Sequence, residues 1–392
     1  MIPRYDPTFQ FQDLLKAFRQ TAFNNSNDII RSKLKNFYNV KHVFTFDSAR
    51  IALFALLKAY NRPGGVLMPA YTCIVVPEAV NCAGYHPSFV DIDLRTLNVN
   101  SGTLAKALTP DATVIIPTHL FGISCDLEEL ITFGRKHNLL VIEDAAPAIG
   151  AEYQGKKVGL FGDASIISFQ ATKVISSENG GALLTNNDAL AEKINRFFSN
   201  ELPPTNHWFL FIKGILRKLM LNPRNYPLVQ LAYRTVRQES MYEVVHPQIK
   251  NPETFLIPCS PFTSALVSLQ MDRLEWNLNR RRKLAQIYSN KLDSHPDIKL
   301  TVPIEKSTPA WIQFPILVKN KGHFYRYMQK HGIDLSWNYK YSCAESYGQE
   351  GYPGARAAAK TVLGLPTYPS LTDDQAHYIC SVASYYSENT NF

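Results

Sequence analysis

Two apolar runs of this chain end in side chains that can do chemistry. The run "LLVIED" ends at Asp144, and "ASIISFQATK" carries Ser168 with Lys173 five residues later. Ligands of open α/β sheets bind beyond the carboxyl ends of the strands, where these groups would meet. An acid and an amine brought close together in this way have two interpretations. One is a salt bridge beside a helix N-cap at "DAAP"; the other is a pyridoxal phosphate site, with a Schiff-base lysine and a carboxylate that keeps the pyridine nitrogen protonated.

A second stretch favours the cofactor interpretation. The segment "FTFDSARIALFALLKAY" (44–60) predicts a strand end, a tight Ser-Ala turn and then an amphipathic helix. The first amides of that helix, those of Ala49 and Arg50, would face an anion such as a phosphate, and Ser168 would add its hydroxyl. Taken alone, "DSAR" favours an ordinary helix N-cap by Asp or Ser.

The elements that must position these residues follow from the hydrophobic pattern. Short apolar runs alternate with helical patterns between residues 43 and 185, which predicts a mostly parallel sheet flanked by helices. The segment 126–137 predicts a helix that begins with a capping box of Asp126 and Glu129 and ends in basic residues. The predicted strands are 66–69, 88–93, 113–117, 139–144, 164–169 and 181–185.

The alternation breaks down in residues 201–260, which predicts an insertion between domains. The part 207–239 is basic, with Glu239 as its acidic residue. Its segment "HWFLFIKGILRKLM" (207–220) fits a basic amphipathic helix on an anionic membrane surface. It also fits a helix or hairpin packed against its own protein or a sister subunit. The basic residues are Lys213, Arg217, Lys218, Arg224, Arg234 and Arg237.

The remainder of the chain predicts a smaller α+β domain. A long helical pattern runs from Pro261, a strand is predicted within 311–318, and a turn precedes a terminal helix. We therefore expect a large α/β domain at 1–200, the insertion at 201–260 and the α+β domain at 261–392.

Composition limits the classes of protein to consider. The 392 residues are 45% hydrophobic and 19% charged, which is typical of a globular chain with two or more domains. The net charge of +8 favours anionic partners, although nothing predicts a nucleic-acid site. The six cysteines are scattered without a CxxC pair, so we predict neither disulfides nor a metal. No signal peptide or membrane span is recognisable, and we expect a cytoplasmic protein.

At this point the residues resemble a family. The runs "IIPTHLFGISCDLEEL", "LLVIEDAAPAIGAEYQGKKVGLFGDASIISFQATK" and "GGALLTN" resemble, in order and spacing, the DegT/DnrJ/StrS family of pyridoxal-phosphate-dependent sugar aminotransferases. "SPFTSALVSLQMDRLEWNLNRRRKLAQIY" and "LGLPTYPSLT" resemble its C-terminal helix and closing motif. The resemblance covers residues 40–200 and 255–385. It implies fold type I, with a large domain around a mostly parallel, seven-stranded type of sheet, and a homodimer.

The resemblance also implies residue roles. Lys173 matches the Schiff-base lysine and Asp144 the partner of the pyridinium nitrogen. The phosphate site would comprise Ser168 and the amides of Ala49 and Arg50. In addition, Ala146 matches a small residue packed against one face of the ring, and His119 lies in the HLFG turn near the cofactor.

Four positions depart from the family pattern. Pro147 replaces a glutamine that binds the phenolic oxygen of the cofactor, and Asn179 replaces a frequent glutamate. Pro258 stands where an asparagine of the partner chain usually reaches the phosphate. Cys73 replaces a ring-stacking aromatic residue, for which Tyr71 is a candidate substitute.

The activity that the resemblance implies is transfer of an amino group from glutamate or glutamine to a keto sugar, usually nucleotide-linked. A basic surface would suit the pyrophosphate of that substrate, but residues 280–282, three arginines, are typical of a solvated helix face. Two alternatives stay open. One is a related sugar dehydratase, although such members carry histidine in place of Lys173; the other is a non-catalytic homologue that retains the fold.

Overall fold

The computed structural model describes residues 1–21, 26–198, 203–236 and 256–387. In these ranges the helices are α1 (Phe11–Gln20), α2 (Ser26–Tyr38), α3 (Ala49–Tyr60), α4 (Val75–Cys82), α5 (Ser101–Ala107), α6 (Leu127–Lys136), α7 (Asp188–Phe197), α8 (His207–Met220), α9 (Tyr226–Val236), α10 (Pro261–Met271), α11 (Leu274–Leu292), α12 (Lys321–Lys330), α13 (Cys343–Ser346), α14 (Pro353–Thr361) and α15 (Asp373–Ser384). The strands are β1 (His42–Phe46), β2 (Gly65–Pro69), β3 (His86–Val90), β4 (Ala112–Ile115), β5 (Leu140–Asp144), β6 (Glu152–Tyr153), β7 (Lys156–Lys157), β8 (Ala164–Ser168), β9 (Gly181–Thr185), β10 (Ile298–Leu300), β11 (Ser307–Thr308), β12 (Phe314–Val318) and β13 (Val362–Leu365).

Seven of the described strands form one sheet in the order β1-β9-β8-β5-β4-β2-β3. The strands from β8 to β3 are parallel, and β9 runs antiparallel to both of its neighbours. Every residue of β2, β5, β8 and β9 is buried, which explains why these strands are continuous apolar runs without alternation. The predicted sheet is therefore confirmed, and with it all six predicted strands, although β3 ends at Val90, before "DID".

The helix predicted at 126–137 is confirmed, but its capping box is wrong. Asp126 is the N-cap and accepts a hydrogen bond from the Glu129 backbone N–H at 3.4 Å. The Glu129 carboxylate does not return a bond to Asp126, because it accepts a hydrogen bond from the Ser101 hydroxyl of the neighbouring helix α5.

The C-terminal part contains an antiparallel sheet, β10-β12-β13, with helices around it. The helical pattern that begins at Pro261 forms two helices, α10 and α11, because Asp272 and Arg273 interrupt it. Arg273 has non-helical backbone angles, and its guanidinium binds the Asp13 carboxylate of α1, with one N–O distance of 3.1 Å. The domain limits at residues 200 and 260 stay a prediction.

The insertion begins with two helices, α8 and α9. Leu210 and Gly214 of α8 are buried against α1 and α10, and a Cβ atom at Gly214 would lie 2.9 Å from Leu14 of α1. Arg217 of α8 binds both oxygens of the buried Glu178 carboxylate, at 2.6 and 2.7 Å. One face of α8 thus packs against its own protein. No helix in the described ranges is long and apolar enough to span a bilayer, and residues 237–255 lie outside those ranges.

Candidate active site

A cavity of about 170 Å³ lies at the carboxyl edge of the large sheet, between the ends of β5 and β8 and the beginning of α3. The sheet order places β5 beside β8, which brings together side chains that are distant in sequence. Six of the seven site residues predicted from sequence line it: Ala49, Arg50, Asp144, Ala146, Ser168 and Lys173.

Asp144 is the buried acid of this cavity, with 4% of its surface exposed. Its Oδ1 accepts the Ala146 N–H at 3.1 Å, and its Oδ2 accepts the Thr118 hydroxyl at 3.3 Å. Burial raises the pKa of Asp144, while the positive charge of Lys173 and these hydrogen bonds oppose the rise. A carboxylate in this environment favours a cationic N–H donor as its ligand.

Lys173 follows a tight turn after β8. Its backbone N–H donates to the Gln170 carbonyl at 2.9 Å, and Val174, directly after it, is buried. The Val174 carbonyl accepts the Asn277 side-chain amide of α11 at 2.6 Å. These contacts fix the backbone on both sides of the lysine, and its side chain extends into the cavity that Asp144 lines.

The helix N-terminus at Ala49 is brought to the cavity by two glycines. Ser48 caps α3 by accepting the Ile51 N–H at 3.3 Å, which leaves the earlier amides of the first turn for another acceptor. Gly180 (φ +111°) bridges Ser48, and a Cβ atom on Gly181 would lie 2.3 Å from the Ala49 nitrogen. The pair "GG" is thus required by the close approach of β9 to this turn.

We expect Gly181→Ala to weaken binding of an anion at this turn by about tenfold or more, because the added methyl group must displace the Ala49 amide. A dissociation constant measured with pyridoxal phosphate checks this. Gly322→Ala is the matched control, because a Cβ atom there meets no neighbour closer than 3.6 Å. Equal affinities for the two variants would contradict the prediction.

His119 is not among the residues that line the cavity, and its place near the cofactor stays a prediction. The side chain is fully buried behind the strand ends, with Nε2 3.3 Å from Glu143 and Nδ1 accepting the Cys125 N–H at 3.1 Å. Its backbone N–H donates to the Asp144 carbonyl at 3.1 Å. His119 therefore fixes the turn that carries Thr118 and does not reach the cavity.

The carboxylate of Glu143 holds a second loop beside His119. It accepts backbone N–H groups of Gly159, Phe161 and Gly162 at 2.6 to 2.7 Å. Burial acts to raise the pKa of Glu143, but the hydrogen bond and charge of His119 and the backbone donors hold it below the ordinary value of 4.5. Its ionised form therefore stabilises the fold.

We expect Glu143→Gln to lower the free energy of unfolding by about 2–4 kcal/mol at neutral pH, because a neutral amide accepts weaker hydrogen bonds from these N–H groups than a carboxylate does. Since the folded pKa is depressed, the contribution of Glu143 is present above about pH 4.5 and is lost as pH falls through the folded pKa. Urea titrations at several pH values should show that the stability difference shrinks in acid. The exposed Glu192→Gln is the control, and a pH-independent difference would refute the assignment.

The four departures from the family pattern lie in different environments. Pro147 and Cys73 line the cavity. Asn179 instead joins Asp47 to Thr263, whose hydroxyl donates to it at 2.6 Å. Pro258 pairs with Phe46 at the end of β1 and is not among the residues that line the cavity.

The aromatic side chain at the cavity is Tyr339, and the suggestion that Tyr71 substitutes for the missing aromatic residue is wrong. Tyr71 is fully buried and does not line the cavity. Tyr339 does line it and packs edge-on against Tyr71, with ring centroids 5.0 Å apart. Tyr339 belongs to the C-terminal part of the chain, in a stretch without a recognisable local motif. Thr118, by contrast, was detectable because it directly precedes His119 in "PTHLFG".

The three consecutive arginines of α11 are not a solvated face. Arg281 is 2% exposed and donates to the carbonyls of Trp311 and Ile312 at 3.4 and 3.2 Å. Burial lowers the pKa of Arg281 to about 9. Arg280 binds Asp373, so these side chains connect α11 to the C-terminal elements.

Comparisons with known proteins give a consistent result. The model of the DegT/DnrJ/EryC1/StrS aminotransferase family matches residues 10–208 and 259–383. The dTDP-4-amino-4,6-dideoxy-D-glucose transaminase of Shigella dysenteriae is 27% identical over 395 residues, covering 97% of this chain and 96% of that protein. Of the solved structures, S. venezuelae DesV is similar with a TM-score of 0.79 at 21% identity, covering 100% of this chain and 99% of that one. Bacillus subtilis NtdA with bound cofactor PMP has a TM-score of 0.72 at 21% identity, covering 95% and 80%. The two structural matches show that the fold is shared.

Proposed function

This chain belongs to the DegT/DnrJ/EryC1/StrS aminotransferase family, and from that premise we propose that it transfers an amino group from glutamate or glutamine to a nucleotide-linked keto sugar. As a member it is a pyridoxal-phosphate-dependent aminotransferase. The observation that supports this proposal is that Lys173, Asp144 and the beginning of α3 line the same cavity.

The donor set of the cavity fits pyridoxal phosphate. The cofactor has an aldehyde, a pyridine nitrogen and a phosphate, and the cavity offers an amine, a buried carboxylate and a helix N-terminus with a hydroxyl. Burial raises the pKa of Asp144 despite the opposing charge of Lys173, and a protonated pyridine nitrogen would give this carboxylate a further cationic partner. Gly181 leaves the space that a Cβ atom would fill beside the Ala49 amide.

When bound, the cofactor supplies an electron sink for the carbon that loses its proton. Asp144 would accept the hydrogen bond of the pyridine N–H and hold that nitrogen in its cationic form. The amine of Lys173 would attach the cofactor and, once freed by the amino donor, take the proton from the donor Cα as general base. Ser168 and the amides of Ala49 and Arg50 would bind the phosphate and so fix the distance between ring and lysine.

A nucleotide-linked keto sugar is supported as the amino acceptor by charge and by similarity. The net charge of +8 favours an anionic substrate, and the Shigella relative is named as a transaminase of a dTDP-linked amino sugar. The lysine at position 173 disfavours the dehydratase alternative.

Absorbance spectroscopy tests the proposal directly. We expect purified holoenzyme to show a visible band that L-glutamate or L-glutamine bleaches and 2-oxoglutarate or its amide restores. A dTDP-linked 4-keto-6-deoxyhexose should also restore the band, with an aminated product detectable by mass spectrometry. A coloured protein that exchanges no amino groups would overturn the proposal in favour of a different reaction, and a protein that binds no cofactor would overturn the assignment of the site.

The proposal extends to the assembly and surroundings of the enzyme. The family resemblance implies a homodimer, in which a second subunit would close over the cavity of about 170 Å³ and complete the site. The six cysteines are all free thiols, as is usual in the cytoplasm. A peripheral membrane contact through residues 207–220 is part of the same proposal.

Sedimentation of the holoenzyme tests the homodimer and should give the mass of two chains. A monomer with full activity would exclude a site shared between subunits.

A further inference from the structure

The outward side of α8 is apolar along its whole length. Phe209, Ile212 and Leu216 are 60%, 53% and 53% exposed, and their spacing of three and four residues places them on one side of the helix. We call the following set the apolar face of α8: Trp208, Phe209, Ile212, Leu216, Leu219 and Met220, all of which are exposed.

This face is additional to the one that α8 uses for packing. Leu210 and Gly214, on the other side, are already buried against α1 and α10. A soluble surface helix normally has one apolar side toward the core and a polar side toward water. Here both sides are apolar, and a large exposed apolar surface marks a binding surface for a membrane or another protein.

Helix α1, which packs against α8, adds a further exposed apolar side chain and an aromatic contact. Leu15 of α1 is 51% exposed, one residue after Leu14, which contacts Gly214 of α8. Phe18 of α1 packs against Trp208, with ring centroids 4.4 Å apart. The exposed surface therefore extends beyond a single helix.

The exposed charged side chains of α1 and of the turn after α8 are basic: Lys16 and Arg19 on α1, and Arg224 between α8 and α9. Lys213 of α8 is partly exposed and lies 3.6 Å from the buried Glu178 carboxylate. The sequences of α1, α8 and α9 contain one acidic residue, Asp13, which is buried against Arg273. A surface that is apolar and flanked by cations is complementary to a bilayer of anionic lipids.

The same charges argue against a second copy of the chain on this face. A two-fold dimer places the same patch of both copies in contact, so the basic side chains of Lys16, Arg19 and Arg224 on one copy would face a patch of the same positive sign on the other. Like charges opposed across an interface weaken it. The observations therefore favour a lipid surface over self-association.

We propose that the apolar face of α8 docks the enzyme on anionic lipid bilayers, with α8 in the plane of the interface. A helix of 14 residues is about 21 Å long, too short to cross the hydrocarbon core of about 30 Å, but suited to lie at the boundary of headgroups and acyl chains. Trp208 at its beginning is of the kind enriched at that boundary, and Phe209 is of the kind that interfacial amphipathic helices carry on their apolar face.

Co-sedimentation of the full-length holoenzyme with vesicles tests the proposal. We expect binding to vesicles of phosphatidylglycerol mixed with phosphatidylcholine, weaker binding at high salt, and little binding to pure phosphatidylcholine. The double variant Ile212→Gln/Leu216→Gln should lower the partition coefficient at least about tenfold. The matched control is Trp276→Gln/Val302→Gln, which replaces side chains of similar exposure (58% and 61%) elsewhere and should bind as the unmodified protein does.

Further variants and measurements distinguish a lipid surface from a second copy of the chain as the occupant of this face. Lys16→Gln/Arg19→Gln should reduce the preference for anionic over zwitterionic vesicles while leaving the cofactor band unchanged. The proposal is overturned if the unmodified protein does not bind anionic vesicles. It is also overturned if Ile212→Gln/Leu216→Gln binds as well as the unmodified protein. A smaller particle mass of that double variant in lipid-free sedimentation, without vesicle binding by the unmodified protein, would assign the face to a second copy.

Discussion

Replacement of Lys173 by alanine is expected to lower the rate of amino-group transfer at least about a thousandfold. The reason is that one amine is assigned two tasks, attachment of the cofactor and movement of the Cα proton, and general base catalysis alone contributes about 10²–10⁴ in rate. Single-turnover mixing of the holoenzyme with glutamate, followed at the visible band, measures the effect. The band itself should shift, because the variant cannot attach the cofactor covalently.

Two controls separate this role from a structural one. Lys193→Ala removes an exposed lysine of α7 and should leave the rate unchanged. Small primary amines added to Lys173→Ala should restore part of the rate, because a free amine can take up the proton in the vacated space. A variant that retains activity within about tenfold of the unmodified enzyme would exclude Lys173 as the catalytic base.

Asp144→Asn is expected to reduce the same rate by about 10²–10³, the usual cost of removing one electrostatic group from a reacting centre. Asparagine retains the size of the side chain and can still accept the Ala146 N–H, which aspartate accepts at 3.1 Å. It removes the charge that keeps the pyridine nitrogen protonated. Cofactor should therefore still bind, and the defect should fall mainly on the proton-transfer step.

The pH dependence gives an independent check on Asp144. Burial raises the pKa of this carboxyl above 3.8, so it takes up a proton, and loses its attraction for a cationic nitrogen, at milder acidity than an ordinary aspartate. The unmodified protein should bind the cofactor more tightly than Asp144→Asn, and the ratio of the two affinities should fall toward one as pH decreases. Because the cofactor phosphate titrates equally in both measurements, its effect cancels in this ratio. Asp111→Asn, an exposed position, should show no such trend, and a constant ratio for Asp144→Asn would contradict the assignment.

The sheet and most of the cavity were predictable because both depend on local patterns. A buried strand is a short apolar run, and the residue that ends it lies at the carboxyl edge of the sheet. Asp144, Ser168 and Lys173 could therefore be placed from sequence. The turn at Ala49 was similarly visible, since a strand end, a Ser cap and an amphipathic helix follow one another without a gap.

The residues whose surroundings the sequence did not reveal depend on contacts between distant segments. His119 has the right chemistry for a site, but its side chain is fully buried against the carboxylate of Glu143. Arg281 looks solvated in a helical pattern, yet carbonyls from residues 311 and 312 receive its guanidinium. Tyr339 reaches the cavity because its loop is packed against Tyr71, a contact across more than 260 residues that no local pattern encodes.

The position of β1 has a consequence for folding during synthesis. β1 is at the edge of the large sheet, and its neighbour there is β9, which is translated well over a hundred residues later. At about 5–20 residues per second, a ribosome needs on the order of ten seconds between the two strands. During this interval β1 has an unpaired edge and the Ala49 turn has no Gly181 against it. Chaperone capture of nascent chains should therefore decline once residue 185 has left the ribosome exit tunnel.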